Sequence, residues 1–128
     1  MKGADFKDLV GGLRRVLAAL PDRRTGQNRS YAMEDFGLSA FSVFFTQCPS
    51  FLAHQKAMQQ AKAQNNATSF FEVSQIPSDN QIRQMLDPVE PQALYRVYDQ
   101  IYHTLREHGL LQAWRGVHDS TLIALDGT

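Results

Sequence analysis

Residues 31–47 read YAMEDFGLSAFSVFFTQ. Met33, Phe36, Leu38, Phe41, Val43, Phe44 and Phe45 would surround the axis of a helix built on this stretch. A helix that is apolar nearly all round belongs in the middle of a packed protein. The stretch therefore predicts a central helix with other helices laid around it, stopped by Pro49. Ser50 is placed to cap a following helix over 51–64, which carries Phe51, Leu52 and Met58 on one side.

Working outward, Phe6, Leu9, Val10, Leu13, Val16, Leu17 and Leu20 recur at helical spacing until Pro21, one face of an amphipathic helix. Arg14 and Arg15 fall off that face and are expected in solvent. Residues 22–30 form a polar, basic loop without periodicity, and 70–76 read as extended or irregular. Ser78-Asp79-Asn80-Gln81 is a capping-box pattern opening a short helix to about Leu86. Asp87-Pro88 breaks it, because the residue before a proline resists the helical region. Leu94, Val97, Tyr98, Ile101, Tyr102 and Leu105 make the cleanest stripe in the chain, begun near Pro91 and stopped by Gly109. One more short helix is expected over 110–117. Residues 120–126, STLIALD, then combine β-branched and apolar residues and close on Asp126-Gly127, a strand signature.

The expected fold is mainly α. Residues 1–117 form a bundle of five or six helices, and 118–128 hold one orphan strand. An unpaired strand leaves its backbone donors and acceptors unmet, so it is expected to open a further domain.

Composition bounds the function. The chain has 128 residues and the apolar fraction of an ordinary soluble domain. It has one cysteine, Cys48, which excludes an intrachain disulfide framework and reads as a small buried thiol. The start lacks the apolar core of a signal peptide, and the most apolar stretch, 36–45, is too short to span a bilayer. A cytoplasmic location is expected. Net charge is zero but uneven. Residues 1–30 carry Lys2, Lys7, Arg14, Arg15, Arg23, Arg24 and Arg29 against Asp5, Asp8 and Asp22, a balance of +4. Residues 87–128 balance to −3. The basic end suits a polyanion, although two halves of one fold attracting each other would give the same split.

Among candidate chemistries, His103 and His108 are five apart, off the spacing that sets two metal ligands on one helical face. His54 and His118 have no nearby Cys or His partner, so packing or surface histidines are expected. No phosphate-binding glycine loop is present, and Gly11-Gly12 more simply permits close helix packing. Arg14, Arg15, Arg23, Arg24 and Arg29 are candidates for DNA phosphates, the sequence-independent part of binding. The 78–105 segment loosely resembles a helix-turn-helix whose short helix shows Asn80, Gln81, Arg83 and Gln84, side chains suited to base edges. Its connecting turn is longer than usual, which favours a capped surface helix that merely packs. Asp126 alone is a turn-forming residue beside Gly127.

Four stretches together resemble insertion-sequence transposases of the DDE type, in the insertion-sequence-four-like group. They are Leu20-Pro21-Asp22-Arg23-Arg24 with its polar loop, residues 41–52 (FSVFFTQCPSFL), residues 75–88 (QIPSDNQIRQMLDP) and residues 122–128 (LIALDGT). The resemblance implies a helical N-terminal region followed by an RNase H-like domain, with Asp126 as its first catalytic aspartate. It further implies three carboxylates holding two divalent metals, usually Mg²⁺, for cleavage and transfer of DNA strands. The other two carboxylates would lie beyond residue 128. The chain is therefore expected to be an N-terminal fragment that contacts double-stranded transposon-end DNA at most and is catalytically incomplete. The alternatives are a module that pairs with or inhibits intact transposase subunits, and a decayed fragment without function.

Overall fold

The computed structural model describes residues 6–27, 29–61, 71–73 and 75–126. Five α-helices are formed among them: α1 (Phe6–Ala18), α2 (Met33–Phe45), α3 (Phe51–Ala61), α4 (Asp79–Leu86) and α5 (Tyr95–Glu107). Short 3-10 turns occupy Pro91–Leu94, Leu110–Trp114 and Val117–Asp119. The architecture is a helical bundle centred on α2, which packs against α1, α3 and α4, while α5 lies along α1. Residues 62–70 and 127–128, on which parts of the expected third helix and final strand fall, lie outside the described residues.

Local chemistry sets the helix ends. Ser78 Oγ accepts the Gln81 N–H at 3.3 Å, and Gln81 Oε1 accepts the Ser78 N–H at 3.0 Å, the reciprocal box expected from the sequence. Ser50 Oγ accepts the Ala53 N–H at 3.1 Å and so starts α3. Pro91 opens the 3-10 turn that leads into α5, and Gly109, at φ 68°, ends the helix where a side chain would be strained. The core gathers Val10, Leu17 and Leu20 from the first segment with Met33, Phe36 and Leu38 from α2, Ile82 from α4, and Phe71 and Val73. Removing such side chains from water is the main favourable contribution to folding.

The structure departs from expectation in four places. The apolar surround of α2 is only partly covered: Leu38 is fully buried, yet Phe44 is 74 % exposed. Phe41 and Phe45 are half-exposed because they shelter Phe71, meeting its ring edge-on at 5.5 and 5.1 Å between centroids. Arg14 is half-buried and held rather than free in solvent; its Nη2 donates to the Phe71 carbonyl at 2.6 Å, beside Glu34 and Glu72. The stripe on α5 contributes no buried residue. That helix meets α1 through its flank, with Val97, Gln100, Ile101 and Thr104 along the groove, and Tyr95, Tyr98 and Tyr102 are left exposed. Gly12 faces this contact, where a methyl group would lie 2.7 Å from Oε1 of the exposed and flexible Gln100 side chain.

The fourth departure is at residues 120–126. A single antiparallel bridge joins Arg115 to Thr121, and residues 122–126 run without a ladder among the described residues. A strand needs a neighbour's donors and acceptors, and no described segment lies alongside to offer them. Leu122, Ile123 and Leu125 are correspondingly exposed. No helix of the described residues is long and apolar enough to cross a membrane.

Candidate nucleic-acid interface

The five arginines singled out from the sequence divide into two kinds. Arg14, Arg24 and Arg29 are tied down by neighbours, whereas Arg15 and Arg23 are exposed and have no hydrogen-bond or ion-pair partner among the described residues. Arg24 forks onto Asp22, with Nε donating to Oδ1 at 2.9 Å and Nη2 to Oδ2 at 2.7 Å, and its own backbone N–H also reaches Oδ1 at 3.0 Å. Arg29 joins from the other side, Nη1 donating to Asp22 Oδ2 at 2.9 Å and Nη2 to the Arg24 carbonyl at 2.8 Å. Such planar, two-pronged contacts are the stronger kind of charged hydrogen bond. The Arg24 guanidinium holds the Asp22 carboxyl far below the usual carboxylate range, helped by the Arg24 backbone N–H and by the charges of Arg24 and Arg29. Asp22 in turn raises the Arg24 pKa. Arg24 also lies over the Phe36 ring at 5.3 Å, which fastens the loop to the core.

The aperiodic basic loop is therefore a folded clasp with Asp22 at its centre. Two of its positive charges are spent on that carboxylate and on backbone carbonyls. Arg23 and Arg24 line a groove together with Pro21, Gln84, Met85, Pro88 and Val89. This groove brings together two segments that the sequence singled out separately, the basic loop and the polar face of α4.

On α4, the four candidate base-reading residues are not equivalent. Gln81 is consumed by the capping box, accepting from both the backbone N–H and the hydroxyl of Ser78. Arg83 Nε donates to Asp79 Oδ1 at 2.9 Å, an exposed pair one helical turn apart that raises the arginine pKa. Asn80 and Gln84 are exposed, one turn apart on the same side. The helix buries Ile82 against α2, and α5 packs on α1, so α4 and α5 do not pair as the two helices of a helix-turn-helix would. The segment is a capped surface helix.

Asp126 is exposed. Among the described residues no three His, Cys, Asp or Glu side chains converge on a point that would hold a metal. Magnesium needs several oxygens in a near-octahedral array, so the described residues do not fit that ion and support no chemical step at Asp126.

One cluster escaped the sequence reading. His54 does have a cysteine beside it: its Nδ1 lies 3.4 Å from Cys48 Sγ, and its Nε2 lies 2.9 Å from Ser42 Oγ. Cys48 is half-buried, not buried. The Cys48-Pro49-Ser50 break, six residues before a histidine, was the signal available, since a reversal there folds the start of α3 back onto the end of α2.

No family model, no curated protein and no solved structure matches this chain.

Proposed function

We propose that these residues are the DNA-contacting helical region of a DDE-type transposase, engaging double-stranded transposon-end DNA through the Arg23–Gln84 groove. The reading rests on the four stretches that resemble that family and on one structural observation. Arg23 and Gln84 come from separate segments, each a candidate for DNA contact, and they line the same groove. Arg23 suits a phosphate, and Gln84 with Asn80 suits a groove edge. Arg24 and Arg29 act one step back, holding the loop in shape through Asp22. In this reading residues 120–126 would open the RNase H-like domain, and Asp126 would be the first of its three carboxylates. In this reading the described residues contribute DNA contact, and no cutting step is assigned to them.

An electrophoretic shift with duplexes carrying the inverted repeats that flank the gene, repeated across salt, decides the matter. A salt-sensitive shift at micromolar protein is expected, with log affinity falling by about 0.9 per neutralised phosphate for each log unit of salt. Absence of such a shift overturns the reading.

A second reading, pairing with another transposase subunit, is favoured by the uncovered α5 face of Tyr95, Tyr98 and Tyr102 and by the exposed 122–125 segment. Contiguous apolar surface of this kind commonly marks a protein contact. Size-exclusion chromatography with and without an intact transposase separates the two readings.

A further inference from the structure

We propose that Cys48 is a base-assisted thiol, a modification site at which His54 takes the thiol proton while the sulfur attacks a small disulfide of the glutathione class. The proposal is independent of DNA binding and stands on the cluster where α2 turns into α3.

The turn is built to bring sulfur and base together. The Gln47 N–H donates to the Phe44 carbonyl and the Cys48 N–H to the Val43 carbonyl, both at 3.1 Å, with Gln47 in the left-handed conformation. This is a Schellman ending, and it swings Cys48 back beside the helix it has just left. Ser50 then starts α3, whose first turn carries His54 into full burial against Ser42.

The hydrogen bonds fix which nitrogen of His54 is the base. Ser42 Oγ donates to the Ser39 carbonyl at 2.8 Å, so its proton is committed. It must then accept from the imidazole at 2.9 Å, which places the ring proton on Nε2. Nδ1 is left with a lone pair. Two groups lie 3.4 Å from it, Thr46 Oγ1 and Cys48 Sγ. The Thr46 hydroxyl donates to the Ser42 carbonyl at 2.7 Å, and its oxygen lies 3.3 Å from Cys48 Sγ, so the thiol sits between two acceptors, Thr46 Oγ1 and His54 Nδ1, of which only the imidazole nitrogen is a base. Burial lowers the His54 pKa, so the ring is a free base at neutral pH. An oriented base beside a nucleophile, held by a third group, is the arrangement of an activated nucleophile.

The sulfur is reachable although its base is not. Cys48 is half-buried at the rim of an open groove that includes Phe44, Leu52, Asn80 and Arg83. The charged groups facing this groove are Asp79 and Arg83 of α4, paired with each other at 2.9 Å, so no net charge opposes a small anionic reagent.

In the step itself, the Cys48 S–H proton passes to His54 Nδ1 as the sulfur attacks one sulfur of the incoming disulfide. The new S–S bond forms as the old one breaks; the departing thiolate takes a proton from water, and His54 returns its own to solvent. Cys48 is oxidised to the mixed disulfide and the released half is reduced to a thiol, with no further oxidant. The attached half would then cover Asn80 and Arg83.

The chain has a single cysteine, so mass spectrometry of the intact protein reports on this site alone. The rate of iodoacetamide alkylation is followed between about pH 5 and pH 9 for the folded chain and for the chain unfolded in urea. Folded protein is expected to react about tenfold faster or more near pH 6.5, a modest share of what general-base assistance can supply. Its rate should rise less steeply with pH than the tenfold per unit of an unassisted thiol below about pH 8.5. His54→Gln should remove both features and Ser42→Ala should reduce them. With glutathione disulfide, the folded wild type should gain one glutathione mass, lost again on adding dithiothreitol. A folded rate at or below the unfolded one, or a folded His54→Gln protein that reacts like wild type, overturns the proposal. Should His54→Gln fail to fold by circular dichroism, the wild-type pH profile and Ser42→Ala decide, and an unassisted profile sinks it. Absence of the glutathione adduct rejects the disulfide as the reagent.

Discussion

Leu17 occupies the space that a side chain on residue 37 would need. A methyl group placed on Gly37 would lie 2.5 Å from Leu17 Cδ2 and 2.8 Å from Cδ1. Leu17 is 4 % exposed and packed into the core, so it has nowhere to retreat. Gly37 is what lets α1 and α2 approach this closely. Two effects compete in Gly37→Ala: alanine favours the helix by about 1 kcal/mol, while forcing an extra carbon into a packed core costs about 1–3 kcal/mol. Overpacking should win. The variant is expected to be destabilised in urea melts, and adding Leu17→Ala should recover part of the loss relative to the sum of the single changes.

Asp22 is the centre of the basic clasp, and its lowered pKa ties the clasp to pH. Because the folded value lies below the ordinary 3.8, the carboxylate's contribution is fully present above that pH. It is lost only as pH falls through the lower folded-state value. Thermal melts of wild type and Asp22→Asn should therefore differ at pH 7 and converge in strong acid. If the proposed DNA reading holds, the same substitution frees Arg24 and Arg29. The salt dependence of DNA binding should then steepen, by up to about 0.9 for each arginine that reaches a phosphate.

The free and tethered arginines should separate in the same assay. Arg23→Ala is expected to lower the salt slope by about one phosphate equivalent with little change in stability. Arg14→Ala should leave the slope unchanged and lower stability, because it strips the Phe71 carbonyl of its 2.6 Å donor. Equal slopes for Arg23→Ala and wild type would remove Arg23 from the interface.

What the sequence made legible was local. The Ser78–Gln81 box, the Ser50 cap, the Pro91 start and the Gly109 stop all depend on residues within a few positions of one another, and each stands where the pattern placed it. The partners of each face were not legible, because they are set by distant residues. Arg14 meets a carbonyl 57 positions away, and nothing near Arg14 in sequence announces Phe71. Arg15, its neighbour, is the one left in solvent. The α5 stripe predicted a helix correctly, but periodicity reports that a face is apolar and says nothing about whether a partner lies against it. The residues proposed to contact DNA could be named from the sequence as a type, basic and amide side chains, but not as a set. Whether an arginine is free depends on where Asp22 and the carbonyls of the folded loop come to rest.

Stability should register that difference between apolar faces. Ile82 is 2 % exposed within the core whereas Tyr98 is 69 % exposed on α5. Ile82→Ala is expected to cost about 2–5 kcal/mol, the range for truncating a buried aliphatic side chain. Tyr98→Ala should fall within about 0.5 kcal/mol of wild type, as surface changes do. Urea midpoints of the two variants check the contrast. A large loss at Tyr98 would mean that this face is covered in solution.

Gln47 carries the reversal between α2 and α3 in a conformation that suits it poorly. Its φ of 55° lies in the left-handed region, where a Cβ crowds the following carbonyl. Glycine is the usual residue at this position of a Schellman ending because it has no Cβ. Gln47→Gly removes the strain but makes the unfolded chain more flexible, and the two effects oppose each other. The strain is about 1–2 kcal/mol and the added unfolded-state entropy about 0.4–1 kcal/mol, so a net gain of roughly 0.5–1 kcal/mol is expected. Gln47→Val should go the other way, since a β-branched side chain tolerates positive φ least. The glycine variant also isolates the role of the turn. If the backbone bonds from residues 47 and 48 alone place Cys48 beside His54, Gln47→Gly should melt higher than wild type while its Cys48 reacts with iodoacetamide at the wild-type rate.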